Sequence, residues 1–145
     1  MRVRFFVVII CATFLILVGC QSEKVVETAV YRQTLNDLIE EVIAISLPLA
    51  ETMAQGQTPT PEQVEEAQNR ITAVQTQLDE LGTTPTELVE ANGRLSEAIQ
   101  QFQQAYKHLA NNLKNGVTLP FDQDFLALAA NGGKIVHQAA AELNQ

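Results

Sequence analysis

The chain has 145 residues, of which 46% are apolar and 18% charged, with no Trp, seven Gly and five Pro. That is one domain of ordinary size with enough apolar material for a core, and its scarcity of turn residues favours helices over a β-sandwich. A formal charge of −8 repels nucleic acid and anionic headgroups. The two cysteines, Cys11 and Cys20, both fall near the N-terminus, which excludes a disulfide framework or a zinc–thiolate cluster in the remainder.

Residues 1–4 carry Arg2 and Arg4, and Phe5 to Val18 follows as an apolar run without a charge. That run is 14 residues long, short of the ~20 that span a bilayer core, and suits the hydrophobic region of a signal peptide. It ends in Leu17-Val18-Gly19-Cys20. An aliphatic residue, a tolerant position, a small residue and a cysteine in that order resemble the lipobox of bacterial prolipoproteins. The resemblance covers the first 20 residues. It implies that the Cys20 thiol receives a diacylglycerol by thioether linkage and that a signal peptidase, recognising Leu17, Val18 and Gly19, cuts before Cys20. In many bacteria the freed amine is acylated as well, and two or more acyl chains make a stable anchor at about 0.8 kcal/mol per buried CH₂. Gln21 in place of Asp permits export to the outer membrane in Gram-negative proteobacteria; in a Gram-positive cell the anchor is in the cell membrane. Cleavage removes Arg2 and Arg4 from the nine basic residues, leaving seven against 17 acidic, a net −10. The expected division is a signal peptide over 1–19, a lipidated tether over 20–24 and a helical domain over 25–145.

The first helix is expected from about Lys24 to Ala54. Tyr31, Leu35, Leu38, Val42, Ile45 and Leu49 recur every three or four residues, the period of one helix face, and Ile39, Ile43 and Met53 widen the stripe. Pro48 lacks an N–H and clashes with the preceding turn, so a kink or break is expected near Ser46–Leu47. Thr60-Pro61 with Gln63 reads as a capping box opening a second helix. Its seam is Val64, Ala67, Ile71, Val74, Leu78 and Leu81, with Gly82 as the left-handed residue closing it. Thr84, Pro85 and Glu87 repeat the start signal. The third helix carries Leu88, Leu95, Phe102 and Leu109 at intervals of seven, with Ala91, Ala98 and Ala105, and Ile99, Tyr106 and Leu113, as further rows. That broad apolar face belongs at the centre of a bundle. Asn115-Gly116 closes it and Val117–Pro120 turns the chain. A fourth helix is expected from about Phe121 to Leu143, on Phe121, Phe125, Leu128, Gly132, Ile135, Ala139 and Leu143, with a packed kink at Gly132-Gly133. Short loops imply antiparallel neighbours, so the expected fold is all-α, an antiparallel up-down four-helix bundle behind the signal peptide. The lipobox, the Thr-Pro starts and Tyr106–Leu109 together resemble small helical-bundle lipoproteins, a likeness that implies fold and location but no activity.

No catalytic set emerges. There is no Gly-x-Ser-x-Gly, Walker loop or His-Glu-x-x-His. Glu40/Glu41 and Glu65/Glu66 are sequence neighbours on helices and point in different directions. His108 and His137 lack the Glu three residues earlier that a di-iron bundle uses, since Ala105 and Lys134 stand there. In an antiparallel pair their heights differ by roughly 12 Å, too far for one haem iron. No cofactor, metal or catalytic residue is expected. The expected function is a non-catalytic interaction module anchored by lipid outside the cytoplasm, binding another envelope protein or itself. The alternative is a carrier or sensor bundle with a small apolar cavity, for which Pro48 and Gly132-Gly133 offer room.

Overall fold

The computed structural model describes the backbone of residues 3–116 and 123–144, and the side chains of 27–116 and 123–144. Among the described residues four α-helices follow one another: α1 (Val3–Ala54), α2 (Pro61–Glu80), α3 (Val89–Lys114) and α4 (Gln123–Leu143), with a 3₁₀ turn, Thr86–Leu88, leading into α3. No strand occurs among the described residues, and the fold is all-helical, with the helices packed on one another. Leu17, Val18, Gly19, Cys20 and the tether lie outside the residues whose side chains are described, and so does Phe121.

The seams read from periodicity are the core. Tyr31, Leu35, Leu38, Val42, Ile45 and Leu49 of α1 join Val64, Ala67, Ile71, Val74 and Leu78 of α2 in one buried cluster. Leu88, Leu95, Ile99, Phe102, Tyr106 and Leu109 supply the α3 side of that cluster, and Phe125, Ile135, Val136, Ala139 and Leu143 the α4 side. Leu81, Leu113 and Leu128 pack at its margin. Val136 joins the core although the expected stripe of α4 omits it.

The helix ends explain why the elements stop where they do. At the start of α2 the Thr60 hydroxyl accepts from the Gln63 N–H while the Gln63 side-chain oxygen accepts from the Thr60 N–H, at 3.3 and 2.8 Å, the reciprocal box expected. In the same turn the Glu62 carboxyl is held below the usual carboxylate range by its own backbone N–H and by the Thr60 hydroxyl. At the end of α1, Gly56 (φ 71°) lets the Gly56 N–H reach Met53 O and the Gln57 N–H reach Thr52 O, which satisfies two carbonyls that the helix leaves open. Gly82 and Gly116 close α2 and α3 with the same left-handed backbone.

One local expectation, the Thr84 cap, is overturned, and those at Pro48 and Gly132-Gly133 are narrowed. First, α1 neither breaks nor ends at Pro48. The carbonyl left without its N–H belongs to Ala44, and both Ala44 and Pro48 face solvent, where water serves that carbonyl and the ring has room. Second, Thr84 does not cap α3. Its hydroxyl lies 2.9 Å from the Tyr31 phenol, which also donates to Asn92 Oδ1 at 2.9 Å. The chain instead enters α3 through the 3₁₀ turn, with no side-chain cap at Pro85 or Leu88. Third, α4 runs unbroken through Gly132 and Gly133. Gly132 is buried because α3 crosses close by: a Cβ there would stand 3.1–3.2 Å from three ring atoms of Phe102.

Polar contacts fix how the helices meet. On α3 and α4, His108 lies 3.9 Å from Asp124, and Arg94 pairs with Glu142 while also binding Glu90 at 2.9 Å. Tyr106 on α3 donates to Ser46 on α1 at 3.0 Å. Arg32 on α1 donates to the Leu143 carbonyl, placing a cation at the negative end of α4. Arg70 and Glu41 are 4.0 Å apart and well exposed, a pairing worth little in water.

Candidate functional site: an apolar groove between α1 and α4

Three turns of α1 and three of α4 stand apart over α3 and leave a groove of about 610 Å³. Its floor is Phe102 and Tyr106, whose rings stack with centroids 5.9 Å apart and planes inclined by 27°. Heptad and alanine rows put both rings on the buried face of α3, and only their outer edges reach the groove. The α1 wall is Val42, Ile43, Ser46, Leu47, Ala50 and Met53; the α4 wall is Phe125, Leu126, Ala129, Ala130, Gly133 and His137.

The groove exists because the α4 wall is small. Gly133 has no atom within 4 Å of where its Cβ would be, and Ala129 and Ala130 add one carbon each. Gly132, one residue away, faces the Phe102 ring instead. The two glycines, read as one feature in the sequence, therefore do different work: one brings α3 and α4 together, the other opens the space beside them.

Polar groups in the groove are few. The Tyr106 phenol donates to Ser46 Oγ, and Ser46 donates in turn to Val42 O at 2.7 Å, so this relay is satisfied within the protein. Burial pushes the Tyr106 phenol above its ordinary range, opposed by the weaker effect of the Ser46 contact. His137 is exposed on the rim. His108 belongs elsewhere, beside Asn112 (3.2 Å) and Asp124. The two histidines do not converge, and among the described residues no three His, Cys, Asp or Glu side chains group to hold a metal. Among the same residues no helix is long and apolar enough to cross a membrane.

The rim sets this groove apart from ordinary packing defects. Ile43, Leu47 and Leu126 are 42%, 52% and 41% exposed, and all three border it. No known family, curated protein or solved structure matches the chain. The chemistry of this surface is accordingly the guide to what the domain does.

Sequence periodicity found the floor, in Phe102 and Tyr106, and part of the walls, in Ile43, Met53 and Phe125. It missed Leu47 and Leu126. The available signal was an aliphatic residue one turn beyond Ile43 and another one residue after Phe125, both off the seam. Such residues are common singly on surfaces. They acquire meaning when two helices bring them to one place.

Proposed function

We propose that this protein is an extracytoplasmic lipoprotein, anchored through acylated Cys20, whose helical domain is a non-catalytic interaction module that engages its partner through the α1–α4 groove. The observation that carries the reading is the rim: three large aliphatic side chains left in water around one apolar depression. Large contiguous apolar surface rimmed by polar residues is where soluble proteins meet partners, and a groove between helices suits an amphipathic helix laid along it. Glu40, Glu51 and Lys134, all exposed, stand one helical turn from the lining residues Ile43, Leu47 and Ala130 and so edge it with charge.

The helices are arranged up and down, each antiparallel to the next. The support is the order of contacts. Going backwards along α3 from His108 to Phe102 to Arg94, the partners on α4 run forwards from Asp124 to Gly132 to Glu142. Along α1, Tyr31 meets Asn92 and Ser46 meets Tyr106, so α1 and α3 share a direction. The anchor rests on the lipobox, and it places the domain on the outer membrane of a Gram-negative cell or the cell membrane of a Gram-positive one.

A second reading, a carrier or sensor of a small apolar ligand, is favoured by the cavity volume, which lies within the roughly 300–1,000 Å³ of ligand sites. The exposed rim favours the first, because Ile43, Leu47 and Leu126 carry large apolar surface at the mouth of the groove as well as inside it. A photoreactive residue in place of Leu47, activated in intact cells, separates the two. A protein adduct that disappears with Leu126→Glu is the expected result; no adduct, with a bound small molecule in native mass spectra of the purified chain, would support the carrier. For the anchor, Cys20→Ser is expected to abolish lipid labelling and processing, whereas a variant that is still processed and membrane-bound removes the lipoprotein reading.

A further inference from the structure

We propose that the partner in the α1–α4 groove is a second copy of this chain, in a two-fold dimer whose axis runs parallel to the helices. The inference rests on the anchored, antiparallel reading above and names its partner.

Ile43 and Leu47 stand out on α1, 42% and 52% exposed, while Ala129, Ala130 and Gly133 keep the α4 wall low beside the exposed Leu126. One molecule thus carries a high wall and a low wall of matching chemistry, side by side. A two-fold axis along the helices lays the α1 wall of each copy over the α4 wall of the other, and buries both twice. A surface that fits itself under two-fold rotation is the requirement of an isologous interface.

The edge charges choose that axis over its alternative. Glu40 lies three residues before Ile43 and Glu51 four after Leu47, so both stand on the outer edge of the α1 wall. Lys134 follows Ala130 by four and stands on the outer edge of α4. Counting from the Arg32–Leu143 contact, eight residues up α1 reaches Glu40 and nine back along α4 reaches Lys134, heights of about 12 and 13.5 Å at ~1.5 Å per residue. With the axis along the helices, Glu40 of each copy meets Lys134 of the other at one level. Glu51, 19 residues up α1, comes level with Asp124, whose carboxylate lies 3.9 Å from His108 on its own α3. With the axis across the helices, α1 would lie on α1 and Glu40 of each copy would face Glu51 of the other, a like-charge contact made twice. Tethering imposes the same choice. Two copies held to one membrane through Cys20 must point the same way, which only the axis along the helices allows.

The test uses the lipidated full-length chain purified in detergent, with mass read by density-matched sedimentation equilibrium. Wild type is expected as a dimer and Leu47→Glu as a monomer with unchanged helicity. Glu40→Lys and Lys134→Glu are each expected to weaken the dimer about ten-fold, two rim pairs being lost and replaced by repulsion. Mixing these two variants is the decisive measurement. Each repels itself, but a mixed dimer restores both Glu–Lys contacts, so heterodimers should form about as well as wild type. A wild-type monomer, or a mixture no tighter than its components, overturns the proposal. The photoreactive residue at position 47 separates this failure from that of the module: an adduct of twice the chain mass supports the dimer, an adduct with a different protein overturns the dimer and leaves the module standing, and no adduct overturns both.

Discussion

Truncating Tyr106 to alanine is expected to lower the stability of the domain by about 3–5 kcal/mol, the range for removing a large aromatic ring from a core. Tyr106 is 1% exposed, stacks on Phe102 and holds α1 through Ser46. Its loss opens a void under the groove, because the neighbouring rings and helices relax only partly. Tyr106→Phe keeps the ring and removes only the hydroxyl. Ser46 still donates to Val42 O, so no buried donor is stranded, and the cost should fall to about 0.5–1.5 kcal/mol, the net worth of one hydrogen bond. Urea unfolding followed by circular dichroism gives both numbers, with the slope of the transition unchanged if the unfolded state is unaffected. Two equal losses would mean that the hydroxyl, not the ring, matters.

The same side chain makes a prediction about pH. Burial raises the Tyr106 pKa above that of the unfolded chain. The folded state therefore holds the proton more tightly, and the associated stability is complete below the unfolded value near 10 and is lost as pH rises through the folded one. Wild type should become less stable above about pH 10 relative to Tyr106→Phe, which has no proton to lose there. Parallel unfolding curves for the two proteins across that range would remove the effect.

How much of this was legible in the sequence varies with how local the cause is. The buried seam of α2, from Val64 to Leu78, follows from spacing alone, because a helix turns its residues to a face at a fixed rate. The Thr60–Gln63 box is equally local. Thr84 carries the same signal and fails to cap, because the Tyr31 phenol, 53 residues away in sequence, takes its hydroxyl. Pro48 reads as a kink or break from its missing N–H alone, whereas its place off the Tyr31–Leu49 seam, on the exposed side with Ala44, lets α1 continue through it. The groove is the least legible feature. It depends on the rotation of α1 and α4 about their own axes and on their separation over Phe102, none of which a one-dimensional pattern encodes.

Gly132 and Gly133 turn that difference into a measurable contrast. Gly133→Ala is expected to stabilise by about 0.5–1 kcal/mol, since glycine in a helix interior costs that much relative to alanine and the new methyl meets nothing within 4 Å. Gly132→Ala gains the same helix term. Its methyl, however, arrives at 3.1–3.2 Å from three atoms of the Phe102 ring, which is 4% exposed and backed by Tyr106. The ring has little room to retreat, so the helix gain is offset and the net effect should be near zero or unfavourable. Gly132→Leu pushes further into the same ring and should cost about 1–3 kcal/mol or more, as overpacking does in a close-packed core. If the cause is this contact, Phe102→Leu should relieve part of the Gly132→Leu defect, and the double-mutant cycle should show a coupling of about 0.5–3 kcal/mol. A Gly132→Ala variant as stable as Gly133→Ala would show that α3 and α4 can part at no cost. Phe102 would then not fix the position of α4, and with it the width of the groove.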